Sequence, residues 1–155
     1  MRLSACRSLE NIGRRLTIRQ LKIYKPYNET FHRGSSMTLD DFITRIKADE
    51  YIDFQDTMAV IAEYYDYRPT EFYNGIRKPL TNPAGRNEGS CKIFAFAKLH
   101  GLTQSETLAL FGDYYRKDVL ENPEGDDHQN IRHFMQDGWE GVLFKSEALT
   151  PKHAD

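Results

Sequence analysis

A short polar stretch in the middle of the chain carries residue types that binding or catalysis requires. Residues 85–92 read GRNEGSCK, which places an amide, a carboxylate, a hydroxyl and a thiol within five positions at Asn87, Glu88, Ser90 and Cys91. The run after it is typical of a buried helix, because its apolar residues cover nearly the whole helical circumference. The stretch is therefore predicted to lie at a helix N-terminus, where free backbone N–H groups and the helix dipole favour an anion.

Two interpretations of this stretch are open. The free backbone N–H groups of the helix start, helped by Arg86 and Lys92, would hold a phosphate, sulfate or carboxylate. Alternatively, Glu88 or Ser90 caps the helix, as a helix start commonly requires. The pattern GxxxxGK[ST] is absent from the sequence, which excludes a P-loop nucleotide site.

Cys91 and His128 are weak candidates for catalysis. A thiol near a helix N-terminus has a lowered pKa and becomes a better nucleophile, and a histidine would serve as its base. Free cysteines are, however, among the most buried residues, and an apolar helix follows Cys91 directly. The catalytic residues are thus unknown from the sequence. A small hydrolase or transferase that uses Cys91 or the Glu88/His128 region is the alternative to a binding protein.

The sequence predicts neither a metal site nor a cofactor. His128 and His133 are five residues apart, about 140° around a helix, so they do not face one ion. Asp126 and Asp127 are interpreted as a helix cap with solvated charge. Cys91 is the single cysteine after residue 36, so that part of the chain cannot form an internal disulfide.

Polar residues also gather at the predicted ends of other elements, and such ends often converge in a cleft. We predict a polar pocket near the 85–92 loop that binds a small anionic ligand. Its expected binding residues are Asn74, Asn87, Glu88, Ser90, Lys92, His128, Asn130 and Arg132. The other open interpretation is an interaction protein, in which exposed aromatic side chains and acidic charge recruit an unknown protein partner.

Capping residues and apolar periodicity predict the elements that position these groups. Helices are expected from the Thr38 cap, from Asp53 to Tyr65, from the 85–92 loop to Gly101, from Thr103 toward Leu120, and from Asp126 or Asp127 to Gly138. Asn74-Gly75 is typical of a tight hairpin turn, and Trp139 to Phe144 is expected to be extended. The fold class is therefore α+β and predominantly α-helical, a compact single domain of about five helices with a short β-hairpin or small sheet.

Charge divides the 155-residue chain into two unlike parts. Residues 1–36 hold eight Lys or Arg and two Glu, a net charge of +6, which leaves 13 basic and 21 acidic residues after Ser36, a net charge of −8. We predict a basic leader over 1–36, a folded domain over 37–149 and a loose tail over 150–155. The leader is interpreted as a targeting segment, a basic tail for an anionic partner, or sequence ahead of a true start at Met37.

The acidic domain argues against nucleic-acid binding, which needs a basic surface. The sequence also lacks an apolar stretch long enough for a membrane span, so we expect no membrane partner.

Two sequence segments resemble the HopJ family, small proteins named as type III effectors. The first reads DTMAVIAEYYDYRPTEFYNG, and the second, from Asn87 to Trp139, reads NEGSCKIFAFAKLHGLTQSETLALFGDYYRKDVLENPEGDDHQNIRHFMQDGW. The resemblance covers about Met37 to Leu149. It implies a bacterial protein of unassigned biochemical activity, resident in the cytoplasm and secreted into a host cell if the effector name applies.

Overall fold

A computed structural model describes residues 37–152, and they form the predicted α+β fold. Helices α1 to α5 span Leu39–Lys47, Phe54–Tyr64, Glu88–Leu99, Gln104–Ala109 and Gln129–Asp137. A π-helix spans Tyr114–Val119, and a 3-10 helix spans Gly138–Gly141. Strands β1 to β5 span Tyr65–Tyr67, Phe72–Asn74, Leu80–Asn82, Val142–Phe144 and Leu149–Pro151.

Three helices begin at the caps that the sequence predicts. The Thr38 side chain accepts a hydrogen bond from the Asp41 amide at 3.1 Å, which starts α1. The Asp53 carboxylate accepts from the Gln55 amide at 2.7 Å at the start of α2. Thr103 forms a reciprocal capping box with Glu106 ahead of α4. Each cap satisfies backbone N–H groups that have no partner within the helix, so these boundaries follow from local sequence.

Helix α3 passes through the centre of the hydrophobic core, as its apolar sequence predicts. Its residues Ile93, Phe94 and Phe96 are fully buried. The Phe94 ring contacts aromatic rings from four other parts of the chain, namely Phe72, Phe111, Phe134 and Trp139. Elements that are distant in sequence therefore meet around α3, whose N-terminal end is the polar stretch at 85–92.

Two small antiparallel sheets pair the last two strands of the described region with earlier strands. Strand β1 pairs with β5, with Tyr65 opposite Pro151, and β2 lies between β3 and β4. The predicted loose tail is therefore wrong for Thr150 and Pro151, which form part of β5. The physical reason is that Ala148 and Leu149 are buried and hold the following backbone against β1. Residues 153–155 lie outside the described residues.

The tight turn predicted at Asn74-Gly75 is wrong, although β2 and β3 do form a hairpin. Asn74 is the last residue of β2 and is fully buried, and the chain reverses over residues 75–79. The Gly75 amide instead donates a hydrogen bond to the Gly141 carbonyl at 3.0 Å. Long-range contacts of Asn74 and Gly75 thus override the local turn preference.

The single helix predicted from Thr103 toward Leu120 is broken at Gly112. Gly112 adopts a positive φ of 61°, and a Cβ at this position would lie 2.7 Å from the Phe54 backbone nitrogen. The chain then continues as the π-helix, which has a different register from α4. A glycine is therefore required here both by the backbone conformation and by the close approach of α2.

The predicted basic leader over residues 1–36 lies outside the described residues, so its boundary with the folded domain stays a prediction. Within residues 37–152 no helix is both long enough and apolar enough to cross a membrane.

Candidate functional site

A cleft of about 440 Å³ lies between the N-terminal ends of α3 and α5. Its polar wall comes from the first residues of these two helices, namely Asn87, Gly89, Ser90, His128, Gln129 and Asn130. Its apolar wall comes from four further parts of the fold and from α5 itself, namely Phe54, Leu80, Phe111, Tyr114 and Ile131. The cleft therefore combines hydrogen-bonding groups with an aromatic surface, as is usual for small-molecule sites.

The two helices begin in the same unusual way. Asn87, the N-cap of α3, has φ 51° and ψ 47°, and His128, the N-cap of α5, has φ 48° and ψ 48°. Within the described residues neither side chain caps its own helix. The first intrahelical hydrogen bonds are donated by Cys91 to Asn87 and by Ile131 to His128. The amides before these donors have no partner within their helix, as in the first turn of every helix.

The predicted caps of these two helices are wrong. Glu88 and Ser90 lie inside α3 rather than ahead of it, and Asp126 and Asp127 precede the His128 cap position. Side-chain contacts elsewhere explain the difference. The Asn87 side-chain amide donates a hydrogen bond to the Asn82 side-chain oxygen at 2.7 Å. The Asp127 carboxylate accepts a hydrogen bond from the Arg132 guanidinium at 2.6 Å.

A network of asparagine side chains connects the cleft to the sheet. Asn82 and Asn130 exchange two amide hydrogen bonds of 3.0 and 2.8 Å, and Asn82 also accepts the bond from Asn87. Asn74 donates to both the backbone and the side-chain oxygen of Asn130. Asn74, Asn82 and Asn130 are buried, so each amide needs these partners to offset the loss of water. The network fixes the start of α5 relative to β2, β3 and the start of α3.

One group of this network has no partner. The Asn74 side-chain oxygen is buried and accepts no hydrogen bond from the part of the chain that the structure describes. An unpaired buried acceptor costs about 1–3 kcal/mol. The Asn74 amide therefore contributes to the network through its two donated bonds alone.

His128 lies at the rim of the cleft between aromatic and acidic neighbours. Its ring packs against Tyr114, with 5.1 Å between the ring centroids. Its Nε2 atom is 2.9 Å from Asp118 Oδ2 and 3.8 Å from Asp127 Oδ2. The hydrogen bond from Arg132 lowers the pKa of Asp127, so that carboxylate stays ionised to more acidic pH than usual.

The predicted binding residues divide between the cleft and its surroundings. Asn87, Ser90, His128 and Asn130 line the cleft together, and buried Asn74 supports Asn130 from the sheet. Three further residues have other partners: Glu88 lies near Tyr67, Lys92 packs over the Tyr67 ring at 4.7 Å, and Arg132 pairs with Asp127. The ligand role of all eight stays a prediction.

Cys91 does not have the lowered pKa expected of a thiol near a helix N-terminus. Its side chain is buried, and this desolvation raises the pKa of the thiol. The neighbouring Tyr67 hydroxyl is also buried, and it makes no hydrogen bond of normal geometry to any residue in the range 37–152. Burial and the nearby Cys91 and Glu88 groups raise the pKa of Tyr67. These surroundings are those of a structural cysteine.

Several residues of the site were missed by the sequence interpretation. Tyr114 and Asp118 project from the π-helix, which sequence periodicity does not reveal. Phe54 and Gln129 lie in segments that the sequence predicts only as helices. Asn82 was missed because its partner Asn130 lies 48 residues further along the chain. A usable signal was the density of asparagines, since a buried asparagine needs amide partners.

A second, smaller groove of about 300 Å³ lies beside the π-helix and α5. Its apolar residues include Leu120 and Met135, which are 47% and 36% exposed. Its polar edge is formed by Arg132 and Gln136. The groove is separate from the polar wall of the first cleft.

The fold and the cleft are those of a small α+β protein in which two helix starts and an aromatic wall line one cleft. Residues 39–149 match the HopJ type III effector protein family. This chain therefore belongs to the HopJ type III effector family.

A solved structure is also similar to this chain. The crystal structure of the unknown-function protein VPA0580 is similar to this chain with a TM-score of 0.72 and 50% sequence identity, over 77% of this chain and 98% of that chain. A comparison with curated proteins gave no match.

Proposed function

We propose that this protein binds a small polar ligand in the cleft between α3 and α5. The observation that carries this proposal is the convergence of two helix starts on one cavity. Asn87 and His128 are both left-handed N-cap residues, and both line the cleft. Backbone N–H groups and the positive ends of two helix dipoles are thus available to one ligand.

The polar wall favours a ligand that accepts hydrogen bonds. Ser90 supplies a hydroxyl, and Gln129 supplies a side-chain amide at the opposite helix start. A carboxylate or phosphate group matches such donors and the helix dipoles. This is the chemical basis for a small anionic ligand.

The aromatic wall adds a preference for a ligand with an apolar or planar part. Phe54 and Tyr114 meet edge to face with 5.0 Å between their centroids, and Tyr114 also contacts His128. Such rings offer apolar contact area beside the hydrogen-bonding groups. A small aromatic or aliphatic carboxylate satisfies both walls.

A titration monitored by amide NMR tests this proposal. Benzoate, acetate and inorganic phosphate are each added to the full chain, and we expect benzoate to shift the amides of Gly89, Ser90 and Asn130 in a saturable way. The Ser90→Phe variant fills the cleft and should abolish the shifts. Ser105→Phe, at an exposed serine near the start of α4, is the matched control.

The proposal is wrong if none of the three probes gives saturable shifts at these amides and mass spectrometry of the native protein finds no copurified ligand. It is also wrong if Ser90→Phe and Ser105→Phe respond alike while both variants remain folded.

A protein-binding role is the second candidate, and the groove with exposed Leu120 and Met135 favours it. Exposed apolar side chains around a groove are typical of protein contacts. The family name supports a site of action inside a host cell, with the bacterial cytoplasm as the place of synthesis. A translocation reporter fused to the full chain tests this location, and Leu120→Asp with partner capture from host extract tests the groove.

A further inference from the structure

Three potential metal ligands meet at the rim of the cleft. Asp118, Asp127 and His128 each offer one atom, and these atoms all lie within 4.8 Å of one another. We propose that they form a binding site for a divalent transition-metal ion of the zinc class. This inference goes beyond the proposed ligand cleft and does not depend on it.

The distances suit a metal centre after small side-chain rotations. His128 Nε2 is 2.9 Å from Asp118 Oδ2 and 3.8 Å from Asp127 Oδ2. An ion with ligands at about 2.0–2.2 Å holds neighbouring ligand atoms about 3–4 Å apart. One imidazole nitrogen and two carboxylate oxygens are ligands that zinc, manganese and nickel accept.

A single proton on His128 Nε2 cannot bridge all three groups. A proton on His128 Nε2 can be donated to Asp118, but Asp127 Oδ2 lies beyond hydrogen-bond distance at 3.8 Å. Arg132 offsets the charge of Asp127 through Oδ1, whereas Asp118 forms an ion pair with His128 alone among residues 37–152. A divalent cation replaces the single proton and contacts all three groups at once.

A residue outside the three ligands orients one of them. Arg132 Nη2 donates to Asp127 Oδ1 at 2.6 Å, and Arg132 Nε donates to the Asp127 backbone oxygen at 2.7 Å. These bonds leave Asp127 Oδ2 directed to the side of His128. Metal-binding carboxylates are commonly fixed in this way by a second hydrogen bond.

The backbone around the site is shaped to keep this arrangement. The π-helix supplies Asp118, and a turn closed by the bond from Gly125 to Asn122 at 3.0 Å returns the chain to Asp127. A Cβ at Gly125 would lie 2.6 Å from Arg132 Nη2. A π-helical register is rare in proteins overall, but where it occurs it is often at a functional site. Here it places Asp118 beside His128.

The consequence for the cleft is electrostatic. His128 belongs both to the three metal ligands and to the cleft lining. A bound cation would offset the two carboxylates at this rim and strengthen the attraction of an anionic ligand.

Isothermal titration calorimetry with zinc chloride tests the site. The parent chain for this experiment is the full chain with the substitutions His32→Asn and His153→Asn. They prevent histidines outside the described residues from binding zinc. We expect one zinc ion per chain, and at least about tenfold weaker binding for Asp118→Asn and His128→Asn. Asparagine at position 128 tolerates the left-handed backbone found there. Circular dichroism checks that each variant is folded.

Asp126→Asn is the matched control, because it removes the same charge from an exposed neighbour outside the three ligands. It should keep the affinity of the parent chain within about twofold. The inference is overturned if the parent chain binds zinc no more tightly than millimolar, if His128→Asn leaves the affinity unchanged, or if Asp126→Asn weakens binding as much as Asp118→Asn. The NMR titration of the cleft is a separate measurement, so the two proposals fail independently.

Discussion

Asn82 and Asn130 exchange two side-chain hydrogen bonds, and this reciprocal pair joins β3 to the start of α5 beneath the cleft. Both residues are buried, at 0% and 6% exposure. Satisfied buried amides specify one arrangement of the elements that carry them, because any shift leaves a polar group without a partner. The position of one cleft wall relative to the other is thus set by a few amide contacts.

The first prediction concerns the stability that these contacts provide. Asn82→Leu keeps a similar size but leaves the Asn130 and Asn87 amides without their shared acceptor. We expect the free energy of unfolding, measured with urea, to fall by about 2–3 kcal/mol. Thr81→Val on the exposed side of the same strand should change it by less than about 0.5 kcal/mol. Equal effects at both positions would contradict the role of the network.

Two glycines with the same backbone conformation should respond differently to alanine. Gly112 and Gly101 have φ values of 61° and 60°, but a Cβ meets the Phe54 backbone only at Gly112. We expect Gly101→Ala to lower the free energy of unfolding by about 1–2 kcal/mol through backbone strain alone. Gly112→Ala should cost about 3 kcal/mol or more, because the contact also displaces the start of α2. Thermal and urea unfolding compare the two, and similar losses would refute the steric argument.

A pH-dependent stability is expected from His100. Burial lowers the pKa of this side chain, and its Nε2 atom lies 2.5 Å from the Tyr65 hydroxyl. Above its unfolded pKa of about 6.5 the ring is neutral in both states. As the pH falls through that value toward the lower folded pKa, only the unfolded chain takes up the proton. The free energy of unfolding therefore decreases as the pH decreases over this range.

The matched variants for this effect are His100→Gln and Tyr65→Phe. Urea unfolding at a series of pH values should show a smaller loss of stability on acidification for His100→Gln. Tyr65→Phe should keep the loss, because burial rather than the hydroxyl lowers the pKa of His100. The assignment to His100 fails if the pH dependence is the same in the parent chain and in His100→Gln.

Cys91 should react slowly with thiol reagents in the folded protein. Its thiol is buried and its pKa is raised, so little thiolate is accessible at neutral pH. In a Cys6→Ser chain we expect iodoacetamide to modify Cys91 at least about tenfold more slowly in buffer than in concentrated urea. Fast modification of the folded chain, at a rate similar to that in urea, would restore the nucleophile interpretation.

The sequence predicts much of the fold because many of its signals are local. Thr38, Asp53 and Thr103 start helices through bonds to amides two or three residues away. The apolar run of α3 predicts burial for the same reason, since no distant partner is needed to identify it. These features depend only on residues that are adjacent along the chain.

The parts that sequence reasoning missed depend on distant contacts. Gly112 interrupts the helix predicted after Thr103 at the point where the backbone of α2 approaches. Asn74 does not form the predicted turn, because its side-chain amide donates to Asn130. The approach of Asp118 to His128 likewise requires a π-helical register that periodicity at 3.6 residues per turn does not represent. Four of the predicted binding residues line one cleft because both helix starts were identified, but their common geometry comes from the asparagine network.

The antiparallel strand pairs also determine when the cleft forms during folding. Phe72 pairs with Phe144 and Tyr65 with Pro151, and most of the cleft residues lie in the chain between these partners. Pairing of distant segments is slow, because the entropy of closing a long loop is lost before the new contacts form. We expect pulsed hydrogen exchange to show that the Ile131 amide, which donates to the His128 carbonyl at the start of α5, gains protection no earlier than the Tyr73 amide does. The cleft is then a product of the last folding steps, and partly folded chains lack it.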